Sequence, residues 1–288
     1  MQRIRPPFAL LERVAPALGA ALLYRTWFQV RDVPEKVRAP RAGLPEATPF
    51  QVGAVRGRAY GEGPLVYLVH GWAGWGLQLG AYVAPLVEQG FRVITYDAPS
   101  HGDADPGELG PGRSTMLEAS EALQAVVAEH GPAHGLIAHS GGAVATALAL
   151  RAGLKVERMV FVAAATDFSE TLDQFAALLG FGPRVRAGFL SRFQRDFGPL
   201  EDFALPNVIA GLDLPPLLLI HDRADPETSY QGSVALLDQW PGSRLETSDG
   251  LGHRRVLRDA ALVQQAVDFL AERAPGDGPA VVRETMGE

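Results

Sequence analysis

The chain reads as an α/β fold, a mostly parallel central sheet flanked by helices with a small helical cap, and three observations predict it. Apolar runs of strand length alternate with runs of helical periodicity from residue 52 to residue 273, and such alternation makes neighbouring strands parallel with helices on both faces. Several strand-like runs break into tight loops of small or polar residues, where sheets of this kind collect their functional side chains. The alternation stops between residues 166 and 214, where only helical patterns occur, so an insertion there covers the strand ends.

In order, the spacing predicts strands at 52–60 and 65–70, a helix at 78–88, a strand at 92–96, a helix at 114–129 and a strand at 135–138. A helix at 142–152 and a strand at 158–163 follow. The strand segments are rich in Val, Ile and aromatic residues, whereas 142–152 is rich in Ala and Leu, the residues that lose least on entering a helix. Two helices, 171–179 and 184–197, are separated by Gly-Phe-Gly-Pro within the insertion; a strand from Pro216, a helix at 230–240, a strand at 243–248 and a helix at 259–273 complete the pattern. Ahead of the first strand, Pro34, Pro40, Pro45 and Pro49 stand among mixed charges, so 29–50 reads as a linker without regular structure. The division is therefore 1–50 as N-terminal helix and linker, 51–274 as the α/β domain with its cap insertion at about 167–213, and 275–288 as a flexible tail.

The 288 residues are 47% hydrophobic and 20% charged, as expected of a globular protein, and include no cysteine. Disulfides, thiolate metal sites and a cysteine nucleophile are thereby excluded. A net charge of −7 argues against a nucleic-acid binder, but it is unevenly spread. Residues 1–60 hold ten Arg or Lys against four Asp or Glu, an excess of six positive charges that leaves −13 for the remainder. Within this basic segment Phe8, Leu11, Ala15, Leu18 and Leu22 recur at three- and four-residue steps, with Pro16 restarting the helix. The apolar run is too short to span a bilayer and lacks a clean signal-peptide cleavage site, so the expected location is cytoplasmic. The segment is expected to pack on the α/β domain, to make a dimer contact, or to lie on an anionic membrane surface.

The most informative stretch is Gly-Leu-Ile-Ala-His-Ser-Gly-Gly-Ala-Val-Ala-Thr, which begins at Gly135. Ser140 sits where an apolar strand meets a small-residue helix, flanked two positions away by Ala138 and Gly142. A serine on a sharp strand-to-helix turn needs such small neighbours, because larger side chains would strike the adjoining strand and helix. Upstream, a strand breaks into His70-Gly71-Trp72; downstream, Pro216 begins a strand ending in His221-Asp222-Arg223-Ala224-Asp225; and His253 follows a Gly-Leu-Gly turn.

Taken with the segment from Phe91 to Ala104, these residues resemble the α/β-hydrolase superfamily, and among its members the capped bacterial esterases, over roughly residues 60–272. One departure is Ser100, at a position that is usually Gly. The resemblance implies an α/β-hydrolase fold and a serine hydrolase in which Ser140 is the nucleophile, His253 the base and Asp225 the orienting acid. Asp222 competes with Asp225 but abuts the strand, a position suited to capping its loop. Among the other histidines, His101 and His221 come nearest to rivalling His253. The backbone N–H groups of Trp72 and Gly141 would form the oxyanion hole, and Trp72, His139, Phe189 and Phe193 would meet substrate. Phe189, Phe193 and Phe197 fall four apart, which equally suits a role in anchoring cap helices.

No metal-ligand spacing and no phosphate-cradling glycine loop occurs, so neither cofactor nor metal is expected. The expected partner is a small-molecule ester-type substrate of apolar character. The same machinery would serve a thioesterase, lactonase, peptidase or acyltransferase. A non-catalytic binding protein on the same scaffold is the alternative of another kind.

Overall fold

The computed structural model describes residues 8–39 and 43–272. Its strands are β1 (Ala47–Val52), β2 (Val55–Tyr60), β3 (Leu65–Val69), β4 (Arg92–Asp97), β5 (Ala133–His139), β6 (Val156–Val162), β7 (Leu217–Asp222) and β8 (Arg244–Ser248). They form one sheet in the order β1-β2-β4-β3-β5-β6-β7-β8. β2 is antiparallel to both β1 and β4, and every pairing from β4 to β8 is parallel.

The helices are α1 (Phe8–Val14), α2 (Pro16–Trp27), α3 (Glu35–Arg38), α4 (Val83–Glu88), α5 (Met116–His130) and α6 (Gly142–Arg151). They continue with α7 (Phe168–Leu179), α8 (Pro183–Phe197), α9 (Leu205–Ile209), α10 (Tyr230–Gln239), α11 (Gly252–Arg255) and α12 (Ala260–Ala271). α5 begins with a reciprocal cap: Thr115 accepts from the Glu118 N–H while the Glu118 carboxylate accepts from the Thr115 N–H.

The central strands are continuous apolar runs because both of their faces are covered. In β5, Leu136 and Ala138 face one core layer and Ile137 the other; in β6, Met159 and Phe161 oppose Val160 and Val162 in the same way. One expectation fails at the edge. Residues 47–50, read as linker, form most of β1, and Pro49 pairs in register with Arg58. Proline is tolerated there because an edge strand leaves one side without a ladder partner. The predicted tail, 275–288, lies outside the described residues.

Between β6 and β7 the chain forms helices joined by loops, without a strand, and the N-terminal helices pack upon it. A Cβ on Gly19 would come within 2.7 Å of the Val185 side chain, and one on Gly188 within 2.7 Å of the Ala20 Cβ, so α2 and α8 approach at a distance that only glycine permits. Glu12 completes the joint. Its carboxylate accepts the N–H groups of Gly182, Arg184 and Val185 at 2.8–3.0 Å, satisfying the first turn of α8 from 170 residues away in sequence. Around this joint Phe8, Leu23 and Phe28 share a cluster with Phe189 and Phe193.

Pro16 does restart the helix, standing in the first turn of α2. The buried face, however, is Gly19, Ala20 and Leu23, whereas Leu18 and Leu22 point outward at 62% and 38% exposure. The predicted apolar stripe is therefore divided, since the break at Ala15 rotates α2 relative to α1. Among the described residues no helix is long and apolar enough to cross a membrane.

Candidate active site

Ser140 lies between the end of β5 and the start of α6 with φ = 53°, a left-handed conformation that a serine adopts only where its surroundings enforce it. The enforcement is visible. Its N–H donates to Val162 O at 3.0 Å, while its carbonyl accepts from Ala143 at 3.1 Å and from Ala165 at 3.2 Å. A Cβ on Gly142 would stand 2.7 Å from His70 O and 2.8 Å from Val69 O, so α6 crosses β3 at a spacing that excludes any side chain. Ala138 is wholly buried.

His253, on α11, turns Nδ1 to Asp225 Oδ2 at 2.8 Å. The same carboxylate accepts the Thr228 hydroxyl at 3.0 Å and the N–H groups of Glu227 and Thr228 at 2.8 and 3.1 Å. His221 approaches it with Nε2 at 3.5 Å, while its own Nδ1 meets Ser233 Oγ at 2.7 Å. Burial pushes the Asp225 carboxyl up, but donors from His221 and His253 outweigh it and hold the group well below the usual carboxylate range. The Nε2 edge of His253 has the Glu227 carboxylate 3.8 Å away.

Asp222 does something else. It is fully buried and accepts from Ser248 Oγ and Leu251 N at 2.8 Å and from Ala224 N at 3.0 Å. It thus ties the loop after β7 to the loop carrying His253. His101 is occupied too, with Nδ1 on Pro99 O at 2.9 Å.

At the end of β3, His70 accepts the Ala98 N–H on Nε2 at 3.0 Å and donates Nδ1–H to Gly71 O at 2.8 Å, which fixes the loop that follows. Burial of its ring brings its pKa down to about 4, so it stays neutral in this role. Trp72 N lies 3.6 Å from where a Cβ of Gly141 would stand, so the two main-chain segments meet beside Ser140. Among the described residues neither Trp72 N–H nor Gly141 N–H donates to a backbone carbonyl.

Ser140, Gly141, Trp72 and His253 all line one cavity of about 730 Å³, walled by Trp27, Phe168, Phe175 and Phe193. One other residue expected to meet substrate does not stand in its wall. Phe189 is fully buried and absent from the lining, because α2 fills the space beside it and Trp27 packs on its ring at 5.2 Å. His139 does border the cavity, although it is only 2% exposed and directs Nε2 to the carbonyl of His253. Among the described residues no grouping of His, Asp or Glu has an arrangement suited to a metal ion.

Comparison with known proteins gives the family. Residues 64–201 match the family model described as alpha/beta hydrolase fold, and residues 201–278 match that of a TAP-like protein. The chain belongs to the α/β-hydrolase family. It is 24% identical over 237 residues to a pimeloyl-[acyl-carrier protein] methyl ester esterase of Nitrosomonas europaea, covering 67% of this chain and 90% of that protein. Its fold is similar to that of an esterase from Exiguobacterium antarcticum, with TM-score 0.56 and 16% identity over 79% of this chain and 100% of the other. It is also similar to the thioesterase domain from the curacin biosynthetic pathway, with TM-score 0.56 and 16% identity over 79% and 99% of the two chains.

In this α/β-hydrolase two features of the site escaped sequence reasoning. Thr228, which touches both Asp225 and His253, stands three residues after the acid, a spacing at which an Asp side chain commonly accepts from the following turn. That signal was readable. The contribution of Thr26 and Trp27 to the cavity wall was not, since nothing local in α2 says which distant surface it meets.

Proposed function

We propose that this α/β-hydrolase cleaves carboxylic esters or closely related acyl bonds through an acyl-enzyme on Ser140. In this reading Ser140 Oγ attacks the substrate carbonyl carbon and its proton passes to Nε2 of His253. The imidazolium so formed keeps its Nδ1–H on Asp225, which holds the tautomer that leaves Nε2 able to accept. The N–H groups of Trp72 and Gly141 receive the charge that develops on the carbonyl oxygen, each worth about 3 kcal/mol in the transition state. His253 then protonates the leaving alkoxide, and a water deprotonated by the same nitrogen attacks the acyl carbon and frees Ser140.

The observation that carries the reading is the Asp225–His253 hydrogen bond of 2.8 Å beside a serine held at φ = 53° in the same cavity. The aromatic wall favours an acyl or alcohol group of apolar character. Catalysis by this route predicts labelling by a fluorophosphonate probe that is lost in Ser140→Ala, with turnover of p-nitrophenyl esters falling by roughly four to six orders of magnitude. Labelling or turnover that survives in Ser140→Ala would refute the assignment; no labelling of the native protein would favour a binding protein.

A further inference from the structure

Large apolar side chains are exposed at few places among the described residues, and those places form a pattern. Leu10, Val14, Leu18 and Leu22 stand outward at 61, 69, 62 and 38% exposure, each four residues beyond the last, along α1 and α2. The other two, Val37 and Leu178, both line the cavity that holds Ser140. α2 joins the two groups, because its last turn, with Thr26 and Trp27, is part of the cavity wall. Exposed apolar surface confined to one helical arm and the edge of a site marks a contact surface.

The charges decide its occupant. Within α1 and α2 the ionisable residues are Glu12, Arg13, Tyr24 and Arg25. Glu12 is turned inward onto the first turn of α8, and Tyr24 is bonded to Asp196, while Arg13 and Arg25 are exposed. The outward side of the arm therefore presents leucines and cations with no carboxylate of its own. A second copy meeting this face across a twofold axis would set arginine against arginine with nothing on the arm to answer. A surface rich in anionic headgroups over an apolar interior answers both features at once. The excess of six positive charges in residues 1–60, against −13 for the rest, orients approach in the same sense.

We infer that α1 and α2 dock this protein on an anionic lipid surface, with Leu10, Val14, Leu18 and Leu22 seated among the acyl chains and Arg13 and Arg25 among the headgroups. The docked arm brings the lipid surface to the helix that walls the cavity.

The full chain is sedimented with vesicles of phosphatidylglycerol and phosphatidylcholine in equal parts, and with vesicles of phosphatidylcholine alone. Binding to the first and not the second, weakened by salt, is expected. Leu18→Ser with Leu22→Ser lowers the partition coefficient roughly a hundredfold, and Arg13→Gln with Arg25→Gln lowers it about tenfold and flattens its salt dependence. Thermal unfolding midpoints within a few degrees of the parent show that the variants remain folded. No binding to either vesicle, or binding that the serine variants retain, overturns the inference. So does a dimer in lipid-free buffer that those variants dissociate, since the face then belongs to a second copy.

Discussion

The Nε2–H of His139 donates to the main-chain carbonyl of His253 at 3.1 Å, and the two rings lie 4.6 Å apart. A carbonyl only accepts, so this bond fixes the tautomer of His139 and leaves its Nδ1 as the buried acceptor. The residue next to Ser140 in sequence thereby holds the loop that carries the opposing imidazole.

His139→Phe keeps the ring volume and removes the donor. The expected loss in kcat is threefold to about tenfold, the worth of one net hydrogen bond, with KM little changed. His139→Gln retains an N–H of similar reach and should recover part of the loss. Equal damage from both variants would instead assign His139 to packing alone.

Asp225→Asn and Asp222→Asn should fail in different ways. The first replaces the acceptor on His253 Nδ1 and should lower kcat by about four orders of magnitude, with a stability cost of its own because Glu227 and Thr228 also donate to that carboxylate. The second leaves buried donors of Ser248, Leu251 and Ala224 poorly answered, costing about 1–3 kcal/mol in denaturant unfolding. Kinetics and urea titration of both variants check the contrast.

Ser100 is held at φ = 64°, and the contacts of its Oγ are long, 3.3 Å to Gly110 O and 3.5 Å from Gly107 N. Ser100→Gly should release about 1 kcal/mol of backbone strain, offset in part by the greater freedom of glycine in the unfolded chain. A net change from zero to about +1 kcal/mol in stability is expected from thermal or urea unfolding.

Acid should destabilise the fold well above the carboxylate range. Burial brings the pKa of His70 down to about 4 and, with a neighbouring imidazole adding to it, those of His101 and His139 down to about 3, against 6.5 for a free ring. Below pH 6.5 the unfolded chain takes up protons that the folded chain refuses, so stability falls with falling pH until the folded values are reached. Each ring contributes on the order of 1.4 kcal/mol per pH unit across that window. Asp225 behaves oppositely in range. Its pKa is depressed, so its contribution is intact above the ordinary carboxylate value and is lost only as pH falls below it. Urea midpoints between pH 7 and pH 4.5 should therefore decline, with a shallower slope in His139→Gln.

Much of the fold was readable because its signals are local. The run from Gly135 to Ala138 is apolar on alternate sides of one sheet, and the glycines after Ser140 announce the turn that follows. Pro49 misled because proline marks a loop unless the strand lies at an edge, and edge position depends on which partners assemble beside it. Phe189 misled for a related reason: its spacing matches that of Phe193, but α2 covers the one and leaves the other at the cavity. His221 reaches Asp225 only because the loop after β7 doubles back. Contacts made by distant segments leave no mark on either sequence alone.

The clasp formed by Glu12, Gly19 and Gly188 makes the first helices a working wall rather than an appendage. A protease cutting ahead of Gln29 would take Trp27 with the excised peptide, bare the amides of α8 and strip one side from the chamber. Damage at the amino end would thus register as lost discrimination among substrates as well as lost robustness.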